Sequence, residues 1–214
     1  MSEILQEISE KLQAGKRKDV KNLCQQAIDE GLKADEILSG GLLAGMDVIG
    51  VKFKANEIFV PQVLVAARAM AAGSEVLKPH LAAGDATSKG KVVIGTVKGD
   101  LHDIGKNLCT MMIEGKGLDV VDLGVDVEPQ AFVDEAIKTD ADVICCSALL
   151  TTTMPVMKDV VDAVKEAGLA DKVKVFVGGA PVTDEYAKSV GADFYTEDAP
   201  TCADKIVEVL SAKA

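Results

Sequence analysis

Lys91-Val92-Val93-Ile94-Gly95-Thr96-Val97 runs directly into Lys98-Gly99-Asp100-Leu101-His102-Asp103-Ile104-Gly105, and the handover from apolar strand to loop decides the fold. From Lys106 to Glu114 the apolar spacing becomes helical, so His102 is expected in a loop at the carboxyl end of a strand. That is where open α/β sheets bind ligands. Working outward, strand candidates at 91–97, 118–123, 142–147, 173–177 and 193–196 alternate with helical stretches at 104–115, 129–138, 155–167, 183–190 and 200–212. Short, nearly continuous apolar strands between amphipathic helices predict a parallel sheet covered on both faces. Five such units fit a flavodoxin-like (Rossmann-type) strand order, 2-1-3-4-5, with its crevice above strands 1 and 3. Strand 1 ends at the His102 loop and strand 3 ends at Ser147, so topology and loop select the same edge.

Residues 1–80 hold no convincing strand, and four helices are expected at 2–14, 17–30, 34–50 and 59–79. Gly15 and Gly31 fall where a helix end favours a residue tolerant of positive φ. In the last helix Val60, Val63, Leu64, Ala67, Met70 and Ala71 recur with helical spacing, and Pro61 falls in the first turn, where its missing N–H costs nothing. The third helix carries Gly40, Gly41, Gly45 and Gly50. These weaken an isolated helix and imply close packing against a neighbour or a ligand edge. The stretch 81–90 is small, polar and without periodicity, which reads as an interdomain linker. The expected class is therefore α/β, with an N-terminal four-helix bundle domain (1–88) followed by a five-stranded parallel-sheet domain (89–214).

With 23 Lys and Arg against 34 Asp and Glu, the net charge is −11 and no basic tract breaks it. That argues against nucleic-acid or anionic-membrane binding. Met1-Ser2-Glu3 lacks the basic-then-apolar opening of a signal peptide, and no apolar run reaches spanning length. Cytoplasmic residence is expected. Five cysteines (Cys24, Cys109, Cys145, Cys146, Cys202) show no C-x-x-C spacing and read as reduced thiols packing as small hydrophobes.

Beyond the His102 loop, two further signals stand at fixed distances. Forty-one residues (106–146) separate the loop from Ser147-Ala148-Leu149, and 28 residues (150–177) separate that from Gly178-Gly179. A D-x-H-x-x-G alone is weak. Together with these partners it resembles the cobalamin-binding domain of methionine synthase and the corrinoid proteins of anaerobic methyltransferase systems, and the resemblance covers nearly the whole chain.

A lone loop histidine usually has no function, but a metal needs a neutral imidazole whose second nitrogen donates to a carboxylate. Asp100, two residues before His102, can be that carboxylate. One protein ligand is too few for a metal site unless a macrocycle supplies the equatorial nitrogens, as in haem. The resemblance implies that the metal is the cobalt of a cobalamin (methylcobalamin or a related corrinoid), with His102 as lower axial ligand and Asp100 behind it. It further implies that Ser147, Leu149, Gly178 and Gly179 shape the slot for the cofactor's nucleotide tail, while Gly105 would let a ligand tail pass close beside its helix and Thr151 offers a cofactor-binding hydroxyl at the same edge. A hydroxyl six residues after Ser147, usually serine in the family and here Thr153, completes a relay to Asp100. The glycine pair also makes sense as a tight strand-to-loop turn. Asp103 reads as an acid favoured at a helix start. Phe59 is most simply core. Similarity to the helical cap of methionine synthase places it instead over the reactive face, shielding a methyl group.

The function implied is a corrinoid protein carrying a methyl group on cobalt. It would work between a substrate-specific methyltransferase and a second methyltransferase acting on a thiol or tetrahydrofolate, with room for a reductive activation protein. Such a chain completes no turnover alone. The alternatives that share the cofactor are an adenosylcobalamin-dependent isomerase subunit and a cobalamin-binding sensor. The first normally works with a large barrel, and the second needs a DNA-reading element that residues 1–80 do not supply. A flavodoxin is disfavoured because Asp100 and Asp103 repel a phosphate. A phospho-acceptor receiver wants an acid where strand 3 ends in Ser147, and a zinc hydrolase wants more than two distant histidines.

Overall fold

The computed structural model describes residues 2–81 and 89–212. They form two compact units, one of residues 2–81 with Gly115–Gly117, the other of residues 89–114 and 118–212. Most of the linker expected at 81–90, and with it the expected boundary at 88/89, lies outside the described residues.

The first unit is helical throughout: α1 (Glu3–Gln13), α2 (Arg17–Asp29), α3 (Ala34–Ile37), a π-helical turn (Leu38–Leu43), α4 (Ala44–Lys54), α5 (Val60–Leu77) and a 3₁₀ turn (Lys78–His80). Gly15 and Gly31 take φ of 66° and 89°, which lets the chain reverse after α1 and α2. The helix expected at 34–50 is instead α3, π turn and α4 in unbroken succession to Lys54. Gly40, Gly41 and Gly45 face α1. A β-carbon at Gly41 would stand 2.9 Å from Ile8, and one at Gly45 would stand 3.1 Å from Leu12 and 3.2 Å from the Ser9 carbonyl. The buried face of α5 is not the one that its larger side chains suggest. Val63, Ala66, Ala69, Ala72, Gly73 and Leu77 are buried, while Ala71 is exposed and Leu64, Ala67 and Met70 are half-buried. Close approach explains the choice, since a side chain at Gly73 would meet Leu42 and Val20 within about 3 Å. Small residues let the backbones come together, and the larger ones are left toward the rim.

The second unit alternates strictly: β1 (Lys91–Thr96), α6 (Ile104–Glu114), β2 (Asp119–Asp122), α7 (Pro129–Thr139), β3 (Val143–Ser147), α8 (Pro155–Glu166), β4 (Lys174–Gly178), α9 (Asp184–Val190), β5 (Phe194–Tyr195) and α10 (Ala199–Ser211). The strands form one parallel sheet in the order β2-β1-β3-β4-β5. Strand residues alternate between two covered faces, as the lack of polar alternation in β1 and β3 requires. On one face Val93, Ile144, Cys146, Val175 and Val177 join Phe132, Val133, Met157, Val160 and Val161 of α7 and α8 in a continuous core. Each large side chain buried there contributes roughly 1.5–3 kcal/mol of transfer free energy.

Register matters most for the site. Thr96 of β1 lies beside Ser147 of β3, and Ser147 beside Gly178 of β4. Three signals far apart in sequence therefore end level with one another at a single sheet edge.

Candidate functional site

Asp100 is the centre of that edge. It is fully buried and gathers hydrogen bonds from two loops. From its own loop, Oδ1 accepts the His102 backbone N–H at 3.1 Å and meets His102 Nδ1 at 2.6 Å. From the loop after β3, Oδ2 accepts the N–H groups of Leu149 (2.8 Å) and Leu150 (3.2 Å) and the Thr153 hydroxyl (2.7 Å). Burial alone would push the carboxyl up. The bonds from His102, Leu149 and Thr153 outweigh it and hold Asp100 well below the usual carboxylate range. Asp100 is thus a fixed anion joining the β1 and β3 loops.

A fixed anion at Nδ1 sets the histidine's chemistry. The carboxylate only accepts, so the nitrogen facing it, Nδ1, carries the proton. The His102 side chain is half exposed. In the neutral ring Nε2 is a donor atom backed by a carboxylate, the arrangement found in metal-ligating histidines. Among the described residues no group of three or more His, Cys, Asp or Glu side chains could hold a metal ion.

The surroundings suit a broad apolar-edged ligand. Leu101 (71% exposed), Ile104 (69%), Leu149 (43%) and Leu150 (41%) stand open around the buried carboxylate. Large apolar side chains left exposed this way mark a surface meant to be covered. At Gly105 a β-carbon would meet nothing within 4 Å, so this first-turn residue of α6 borders open space.

Gly179 contrasts with Gly105. Its φ is 137° and a β-carbon there would lie 1.8 Å from the Ala148 carbonyl oxygen. The turn after β4 packs so closely on the Ser147–Leu149 segment that only glycine fits. Gly178 N–H and C=O groups belong to the same seam, with Ala148 N–H donating to the Gly178 carbonyl at 3.2 Å. Ser147 is half-buried, and Thr151 and Thr152 are exposed. Of the three loop threonines it is Thr153 that reaches Asp100. Its methyl group, which a serine would lack, sits 3.5 Å from where a Gly99 β-carbon would be.

Asp103 immediately precedes α6, and its carboxylate accepts from the Asn107 side-chain amide at 3.1 Å. Phe59 is not core. It precedes α5 in the helical unit and is 62% exposed, its backbone N–H donating to the Gln62 side chain at 3.1 Å.

Three contributors escaped the sequence reading. The Leu149 and Leu150 amides act through their backbone, which no side chain advertises. Lys106 is 2% exposed and pairs with Asp122 of β2 and the Asn107 side chain, pinning the first turn of α6 to the sheet. A lysine one residue after the motif glycine was a visible signal for it. The cysteines are free thiols, and burial pushes Cys146 up and Cys24 up to about 11, the behaviour of packing groups.

Fold and site together define a parallel α/β protein with one carboxylate-backed imidazole at the carboxyl edge of its sheet. Comparison with known proteins agrees. Residues 90–203 and residues 4–78 each match a B12 binding domain. The chain is 43% identical over 210 residues to dimethylamine corrinoid protein 1 of Methanosarcina acetivorans, covering 98% of each. It is 40% identical over 210 residues to a corrinoid protein of Desulfitobacterium hafniense, covering 95% of this chain and 97% of that one. Among solved structures, the methanol:cobalamin methyltransferase complex MtaBC of Methanosarcina barkeri superposes with a TM-score of 0.90 at 30% identity, over 98% of this chain and 80% of that one. The chain belongs to the B12-binding corrinoid proteins of methyltransferase systems, and its cofactor is a corrinoid.

Proposed function

We propose that this chain carries a methyl group, on the cobalt of a corrinoid ligated by His102, from a substrate-specific methyltransferase to a second methyltransferase with a thiol or tetrahydrofolate acceptor. When bound, the corrinoid supplies the metal that accepts and releases the methyl group. The protein's own residues do the rest. His102 would hold the cobalt through Nε2. Asp100 keeps the proton on Nδ1, and Thr153 with the Leu149 and Leu150 amides keeps Asp100 charged. Gly105 leaves room beside α6, and the open leucine and isoleucine side chains give an apolar bed. The exposed Phe59 is our candidate for covering the reactive face.

The observation that carries this reading is the five-bonded Asp100 behind a half-exposed imidazole. The relatives' names support the partner class: similar chains are called methanol, monomethylamine and dimethylamine proteins. Similar chains named after different donors support the reading that the partner recognises the donor. A reductive activation protein and cytoplasmic residence belong to the same proposal.

The test loads the protein with cobalamin and supplies a methyltransferase encoded beside it, with a labelled methyl donor. Label should move to the protein, and then to a thiol or tetrahydrofolate when the second enzyme is added. Tighter binding of adenosylcobalamin than of methylcobalamin, with no label transferred by any neighbouring enzyme, would favour the isomerase or sensor reading instead.

A further inference from the structure

Thr96 is the last residue of β1 and is fully buried. A buried hydroxyl must find a partner, and this one crosses the whole loop to do so. Thr96 Oγ1 donates to the backbone carbonyl of His102 at 2.8 Å. On the other side of the same residue, the His102 N–H and ring Nδ1 both go to Asp100 Oδ1. Both peptide groups flanking the His102 α-carbon are therefore held, together with one ring nitrogen.

The two anchors come from different parts of the sheet. Asp100 is tied to the loop after β3 through Leu149, Leu150 and Thr153. Thr96 belongs to β1, where its N–H donates to the Gly124 carbonyl at 2.9 Å and its carbonyl accepts from Val127 at 3.0 Å. Asp100 alone fixes the ring and the preceding peptide. The following peptide could still turn and swing the α-carbon, carrying the imidazole with it. The Thr96 bond removes that freedom.

We propose that Thr96 is a positioning residue for the axial imidazole: its hydroxyl sets the direction in which His102 Nε2 leaves the sheet edge. The inference rests on His102 ligation and adds a residue upstream of the D-x-H-x-x-G loop.

Thr96→Val keeps shape and removes the donor, Thr96→Ser keeps the donor, and Thr96→Ala replaces valine if valine does not fold. Each variant is loaded with cobalamin, reduced to Co(II) and examined by electron paramagnetic resonance beside wild type and His102→Ala. The unloaded proteins are compared by ¹⁵N correlation of the histidine ring. Wild type and Thr96→Ser should show one axial nitrogen. Thr96→Val or Thr96→Ala should lower the ratio of ligated to unligated cobalt roughly three- to tenfold, the worth of one hydrogen bond, and broaden the Nδ1–H signal of His102. Wild-type spectra in the donor-free variants overturn the Thr96 assignment alone. An absent axial nitrogen in wild type overturns His102 ligation and this inference together.

Discussion

The two units of this chain are specified in different ways. In the helical unit cohesion comes from apolar contact, with Gly41 and Gly45 seated against Ile8 and Leu12, and Gly73 against Leu42. Side-chain hydrogen bonds there run largely along single helices, as in Gln6–Glu10, Gln25–Asp29 and Gln26–Glu30. In the α/β unit a single buried carboxylate joins residues 49 to 53 positions away. Apolar packing fixes where helices lie and tolerates exchange of one hydrophobe for another. A converging set of hydrogen bonds fixes one atom's direction and tolerates almost no exchange. The His102 ring is held by the second kind of specification.

The largest effect should come from the tightest seam. Gly179→Ala puts a β-carbon on the Ala148 carbonyl in a backbone region closed to side chains. Overlap and strain together should cost about 4 kcal/mol or more. Chemical denaturation should find the variant unfolded or severely destabilised; a loss under 1 kcal/mol would mean that the β3 and β4 ends are not locked together.

Asp100→Asn comes next. An amide can accept at one oxygen only, so bonds on one side of the residue are lost or reversed, at a cost of roughly 2–3 kcal/mol. The sign with pH follows from the lowered carboxyl. Its stabilisation is complete above the ordinary aspartate range, about pH 4, and is lost as pH falls through the lowered folded value. The stability gap between wild type and Asp100→Asn should hold steady from neutrality to about pH 5 and close below about pH 4. A gap unchanged in strong acid would mean that hydrogen-bond geometry, not charge, holds the loops.

The smallest effects compare one glycine from each unit. Gly45→Ala gains helix propensity but presses on the Ser9 backbone at 3.2–3.3 Å, for a net loss of about 1 kcal/mol. Gly105→Ala meets nothing and should stabilise the free protein by about 0.5 kcal/mol, while weakening corrinoid retention in dialysis. If Gly105→Ala left retention unchanged, the open space beside α6 would not be part of the binding surface.

These particulars also mark what the sequence could reveal. The strands and helices of the α/β unit were legible because short, nearly continuous apolar runs alternate with stretches of helical apolar spacing. Asp100 was legible as the carboxylate two residues before His102, but Thr153 only through the family resemblance, since a contact across 53 positions leaves no local trace. The amides of Leu149 and Leu150 left none at all, and Thr96 looks like any β-branched strand residue. Gly105 and Gly179 read alike as letters, yet one borders open space and the other a carbonyl. In α5 the large side chains suggested the buried face, but close approach of the backbones selected the alanines.

The most direct test of the central claim is electron paramagnetic resonance of the cobalamin-loaded protein in the Co(II) state, prepared with ¹⁴N- or ¹⁵N-histidine. One axial imidazole from His102 predicts a three-line nitrogen splitting that becomes two lines on ¹⁵N-histidine labelling, a response lost in His102→Ala. A splitting in the wild type that does not change on labelling would show that the axial nitrogen is not that of His102.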